Sequence, residues 1–193
     1  MEEIMKQKQS DSTYNIVVTA LYAVLIFLGI SFFRIPLPSF IGAPFVHIGN
    51  ALVAVGALLL GTKRGTIAAV IGLAAFDILN GYAAVAWVTV LESLIVILVI
   101  HLVYQVVLKG TPTPGHLIIT GIAAAFTKVV IIFVKYTATQ LMIGASLSVA
   151  ITTAVSSMSA TVASAILTAI LVPILYPILS RIMRHKETQR HHY

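Results

Sequence analysis

The chain contains no cysteine, which excludes disulfides, iron–sulfur clusters and thiolate zinc sites. Charge is scarce as well. Only 9% of its 193 residues are Asp, Glu, Lys or Arg, where a soluble domain carries about a quarter. There is no phosphate-cradling Gly-rich loop ending in GK[ST], so ATP hydrolysis by this chain is not expected. HExxH and G-x-S-x-G are missing too, and no nucleophile stands with a base, so no enzyme is indicated. The six histidines do not fall at ligand spacing, apart from His191 and His192 in a polar tail. No metal site and no cofactor held by this chain is expected.

What the chain has in abundance is apolar surface. Hydrophobic residues make up 59% of it, and the mean hydropathy is +1.03. A transmembrane helix needs about 20 apolar residues, which leaves room for about six spans. The expected fold is therefore an all-α integral membrane protein of six transmembrane helices. Residues 1–193 form a single membrane domain, with a polar tail at 1–13, a six-helix core at 14–183 and a second tail at 184–193. The first apolar run, residues 14–33, is too long for a signal-peptide core and is followed by further spans.

Punctuation along the chain sets the helices. RIPLPSFIGAPF (residues 34–45) carries Pro36, Pro38 and Pro44 and must be a loop. Helix 2 is expected at 47–60, then a tight charged turn, GTKRG. Helix 3 follows at 66–79 and is stopped by Asn80-Gly81, helix 4 at 85–107, and a turn KGTPTPG. Helix 5 is expected at 116–142, and helix 6 at 149–183, kinked by Pro173 and Pro177.

The net charge of +6 would suggest nucleic acid if the basic residues formed a patch. They gather instead at span ends, as topology signals do. Lys6 and Lys8, Lys63 and Arg64, Lys109, and Arg181, Arg184, Lys186 and Arg190 all fall on one side of a six-span chain. The positive-inside rule makes that side cytoplasmic, with both termini on it.

Polar groups inside such a chain are expensive and normally face a partner or a water-filled cavity. Glu92 lies about seven residues into helix 4, roughly 10 Å deep, and Lys135 lies at similar depth in helix 5. They can form a structural ion pair, line a pocket, or do both. Lys128 sits about two turns deeper on the same face as Lys135. Asp77 is near the outer end of helix 3, where a carboxylate can accept hydrogen bonds from a polar ligand. Asn80 either caps that helix before Gly81 or joins the site. His47 and Asn50, one turn apart, share a face of helix 2. Phe40, Phe45, Tyr82, Trp87 and Tyr136 gather on the same side. Trp87 and Tyr82 suit an interfacial belt, while Tyr136 is placed to stack on a flat ring. The Ser/Thr-rich opening of helix 6, SVAITTAVSSMSATVAS, either allows close packing or lines a polar cavity. These groups converge on the outer half, as if around a small solute.

The order of these features resembles a known family. The stretch from RIPLPSF through HIGNALVAVGALLLGTKRG and FDILNGY to TVLES is similar to the S components of energy-coupling factor (ECF) vitamin importers. The nearest branch includes the riboflavin, pyridoxine and hydroxymethylpyrimidine types. The resemblance implies a bacterial cytoplasmic-membrane protein with a vitamin site near the outer surface, built from the first outer loop and helices 4 to 6. It implies a membrane coupling (T) subunit and two ATPase subunits as partners, with ATP and Mg used by those partners. Small residues spaced four apart on helix 1 dock the coupling subunit in this family; here Thr19 and Ala23 fit, with Ala20 nearby. The expected substrate is a small heterocycle of the pyridoxine or hydroxymethylpyrimidine type, bound by His47, Asn50, Asp77, Asn80, Trp87, Glu92, Lys135 and Tyr136. A riboflavin-type substrate is the alternative. A stand-alone ion-coupled transporter is the rival of another class, with Glu92 or Asp77 carrying a proton, and a membrane enzyme or scaffold is a further one.

Overall fold

The computed structural model describes residues 2–190, and the side chains of residues 12–184. His191 and His192 therefore lie outside the described residues. The chain is almost wholly helical: α1 (Glu2–Phe32), a small antiparallel ribbon of β1 (Ile35–Pro36) and β2 (Phe45–Val46), α2 (Gly49–Leu59), α3 (Gly61–Leu79), α4 (Ala86–Ile100), α5 (Pro114–Met142), α6 (Leu147–Ser156) and α7 (Ser159–Arg190). Four stretches are long and apolar enough to cross a bilayer: Ser12–Phe32, Ala83–Val107, Pro114–Met142 and Ser159–Arg184. The all-α membrane class holds. Of the remaining two expected spans, α2 has only 11 residues, and the 19 residues of α3 include Lys63, Arg64 and Asp77.

Several boundaries differ from expectation for identifiable reasons. α1 begins at Glu2, not near residue 14. Glu, Met, Lys and Gln are good helix formers, and extending an existing helix is far cheaper than starting one. GTKRG is not a five-residue turn. Gly61 alone turns the chain, with φ +76°, a conformation open to glycine. Lys63 and Arg64 already belong to the first turn of α3. Arg64 folds back to donate to the Leu60 carbonyl, 3.0 Å away, and to the Asn15 side chain, tying α3 to α1. The expected single helix 6 is two helices. It breaks at Ser157–Met158, between α6 and α7, and α7 runs unbroken through Pro173 and Pro177. Pro173 has no N–H to offer the Ala169 carbonyl. That oxygen faces Gly121 of α5, where an added Cβ would stand 3.2 Å from it, so the missing side chain lets the two helices close over the defect.

The core forms around α2. Its residues from Ala51 to Leu58 are all buried, as befits a helix apolar on every face, and it is surrounded by α1, α3, α4 and α7. Small residues set the spacing. A Cβ on Gly65 would come within 2.5 Å of the Ala57 Cα, and one on Gly72 within 2.6 Å of the Ala23 carbonyl oxygen. Beyond Ile100 the helix of α4 continues as a π-helical stretch, His101–Val107, which turns Tyr104 into the core.

One end of the bundle collects Asn15 with Arg64, and Thr62 with His101 at 2.8 Å. The other end collects the ribbon, the end of α3, the start of α4, the end of α5 and the start of α7, and there the helices part.

Candidate binding site

At that second end lies a cavity of about 880 Å3, within the ~300–1,000 Å3 range of small-molecule sites. One wall is the loop after the ribbon's first strand, residues 41–45, followed by His47 and Asn50. The others are Leu73, Phe76 and Asp77 of α3, Tyr82 to Glu92 around the start of α4, Lys128 to Met142 of α5, and Ala160, Thr161 and Ser164 of α7.

Its chemistry centres on Glu92. This carboxylate is buried, and each of its oxygens binds one lysine: Oε1 takes Lys135 and Oε2 takes Lys128, both at 2.6 Å. The seven-residue spacing on α5 puts both ammonium groups on one face, nearly two turns apart. The expected Glu92–Lys135 pair is thus one arm of a triad, and Lys128, expected one layer away, is the other. Each oxygen of the buried Glu92 carboxylate spends one lone pair on a lysine and keeps another. The lysines, each with three donors and one spent on Glu92, are the donors left to address a ligand. The Lys135 ammonium also lies 5.5 Å from the centre of the Tyr136 ring, a cation–π distance.

The opposite wall is aromatic. Phe76, fully buried, lies nearly parallel to Tyr82 with ring centres 6.3 Å apart, and Phe45 tilts against both at 5.8 and 5.9 Å. These are preferred aromatic spacings, and they fix the ribbon to the end of α3. Arg34 completes the joint. It lies 5.7 Å from the Phe76 ring centre and donates to the Asn80 side-chain oxygen at 3.2 Å.

His47 sits in the loop before α2. Its Nδ1 accepts the Gly49 N–H at 3.0 Å, so Nε2 carries the proton. Its own backbone N–H donates to Ser164 Oγ at 3.3 Å, joining the loop to α7. Burial, and then the Lys128 charge, push its imidazole down to about 4, so it is neutral at physiological pH.

Of the expected site residues, the structure brings His47, Asn50, Asp77, Trp87, Glu92, Lys135 and Tyr136 to the cavity. Asn80 is a correction. It is the cap of α3, its amide donates to the Phe76 carbonyl at 2.9 Å, and it does not line the cavity. Gly81, with φ +86°, is the left-handed terminator beside it. Phe40, grouped with the other aromatics, is 80% exposed and does not line the cavity. Of its Ser and Thr residues, the Ser/Thr-rich stretch contributes only Thr161 and Ser164 to the lining, because α6 packs on α5 and leaves Ser148, Thr152 and Ser156 exposed. The docking trio on α1 divides in the same way. Thr19 and Ala23 are buried, Ala23 against Gly72, and only Ala20 is exposed.

Residues 41–44 belong to the first outer loop, which the family resemblance assigns to the site, while Phe76, Thr89 and Thr139 line the cavity without having been singled out by the sequence. Phe76 reads as ordinary core, and nothing in its neighbourhood separates it from other buried aromatics. Among the described residues, no three His, Asp or Glu side chains converge in a way that could hold a metal ion.

A family model described as ECF-type riboflavin transporter, S component, matches residues 10–181. No curated protein and no solved structure matches the chain.

Proposed function

The chain belongs to the ECF-type riboflavin transporter S component family, and from that premise we propose that it captures a flat, riboflavin-type vitamin in the cavity. It is the substrate-binding subunit of a vitamin importer and not an enzyme. The observation that carries the substrate is the cavity of about 880 Å3 between an aromatic wall and a pair of lysines. A single six-membered ring with short substituents, the pyridoxine or hydroxymethylpyrimidine type, would leave most of that space to water. A three-ring system with a polyol chain uses it. The one-ring expectation therefore gives way to its alternative.

In this reading the ring system slides between Tyr136 and the Phe45–Tyr82 side, and Lys128 and Lys135 donate to its carbonyl oxygens. Glu92 holds the two ammonium groups in place. Residues 41–43 fold over the ligand, turning at Gly42, which has φ +64°. The rest of the ribbon is pinned by Arg34 and by the Leu37 N–H, which donates to the Pro44 carbonyl at 3.1 Å.

Transport then needs partners, because the chain has no nucleotide site. A coupling (T) subunit and two ATPase subunits would supply the energy, with the outer face of α1 around Ala20 as the docking surface. The basic end of the bundle faces the cytoplasm and the cavity faces outward, in a bacterial cytoplasmic membrane.

Titration of the purified chain with riboflavin, followed by quenching of flavin fluorescence, tests the substrate. Submicromolar riboflavin binding is expected, with pyridoxine and hydroxymethylpyrimidine at least a hundredfold weaker. Tight binding of either one-ring compound with no response to riboflavin would overturn the reading.

A further inference from the structure

Resting on that reading, one group in the cavity wall has a geometry the lysine triad does not explain. Asp77 is 7% exposed and lines the cavity, yet its Oδ2 has no hydrogen-bond partner. The other buried side-chain oxygens without partners, on Thr137 and Ser157, do not line it. Asp77 is in no ion pair among the described residues, since both lysines are spent on Glu92. Thr89, also in the wall, is the one side chain in hydrogen-bonding reach of the Asp77 carboxylate, its hydroxyl otherwise making a long 3.5 Å contact to the Val85 carbonyl, and Oδ2 is still left over.

A carboxylate shut away from water with an empty acceptor is costly, and it is retained where something else supplies a donor. The terminal torsion of aspartate is soft, so a small turn presents Oδ2 to an occupant of the cavity. An ionised carboxylate only accepts hydrogen bonds, and an ammonium only donates them. The two walls therefore ask for opposite things.

We propose that Asp77 accepts a hydrogen bond from a hydroxyl of the ligand's polyol chain, so that the vitamin is held in one polarity: donor-rich chain toward α3, acceptor-rich dione edge toward the lysines of α5. Asp77 is then a specificity residue. It rejects flat rings that lack a donor at that end, because their binding would leave Oδ2 buried and unpartnered.

The test measures affinity for riboflavin, for lumiflavin (the same ring without the polyol) and for 3-methylriboflavin (no dione N–H). It uses the full chain and the variants Asp77→Leu and Asp77→Asn. Asp77→Leu is expected to weaken riboflavin and 3-methylriboflavin at least tenfold and lumiflavin less than twofold. Asp77→Asn, which keeps a neutral acceptor, should show a smaller loss in the same order and serves if Asp77→Leu does not fold. Melting of the ligand-free variants should stay level or rise, because an unpartnered charge has been removed, whereas a purely structural aspartate would lower it. Equal losses for all three ligands, or riboflavin affinity within twofold in both variants, would refute the role of Asp77. A loss that disappears only with 3-methylriboflavin would refute the polarity. Wild-type chain that binds no flavin at all would refute the riboflavin reading and this inference with it, and is recognised before any variant is made.

Discussion

The two ends of this bundle are built from similarly apolar helices and do opposite things. At the basic end, glycine and alanine bring α1, α2 and α3 so close that a Cβ at Gly65 would stand 2.5 Å from a neighbouring backbone atom. Between the two ends the Tyr22 hydroxyl is spent inside the bundle as well, donating to the Leu52 carbonyl at 2.9 Å. At the other end Phe45, Phe76, Tyr82 and Tyr136 hold the elements apart, and long charged side chains reach into the gap. Size, more than polarity, separates the solid half from the hollow one. Apolar tails of lipid offer helices no hydrophobic reason to associate, so close fit of small residues must do it. Where the fit is abandoned, polar groups can gather and keep a space open.

Glu92→Gln should have the largest effect, because it breaks that division from the hollow side. It leaves two ammonium groups without a counter-charge, and breaking a buried ion pair costs about 3–5 kcal/mol. Lys135 is partly exposed, which moves the expectation toward the lower figure. Calorimetry should show riboflavin affinity reduced by about a hundredfold or more, together with a lower melting temperature.

Gly65→Ala approaches from the solid side. The extra methyl group meets backbone and cannot be accommodated by a rotamer change, so an overpacking loss of about 1–3 kcal/mol is expected. Melting should fall while affinity in the folded fraction stays within twofold. An affinity loss as large as that of Glu92→Gln would mean the two ends are coupled more tightly than their packing indicates.

A smaller effect is expected from Tyr136→Ala. Aromatic stacking contributes about 0.5–1.5 kcal/mol beyond area, so flavin titration should show a loss of a few-fold to tenfold. The least change is expected on varying pH. With the His47 imidazole pushed down to about 4, the ring is neutral throughout the range between about pH 5.5 and 8, where an ordinary histidine would titrate. Affinity should be level across that range and decline only at lower pH, as protonation adds a positive charge beside Lys128. An inflection near the ordinary histidine value, abolished by His47→Gln, would show that the ring is wet.

Much of the site was legible before folding because ionisable groups are so rare in this chain. With few charges among so many apolar residues, Glu92, Lys128 and Lys135 had to find one another, and helical spacing made the meeting geometrically easy. Asn80 misled for a related reason. An asparagine before glycine suits a helix cap and a binding site equally, and only the Arg34 and Phe76 contacts decide between them. The single long helix expected at the C-terminal end was misjudged because Pro173 and Pro177 are conspicuous, whereas the break at Ser157–Met158 has no residue that announces it.

By itself the sequence determined the membrane class, the alternation of long apolar helices with basic turns, and which polar residues needed partners, since each of these follows from composition and local spacing. The tertiary structure alone decided that both oxygens of Glu92 are occupied, that Thr19 and Ala23 turn inward while Ala20 turns out, and that Oδ2 of Asp77 is left in the cavity wall without a partner. Those outcomes depend on how far apart neighbouring helices come to rest, a distance set by side chains many positions away along the chain.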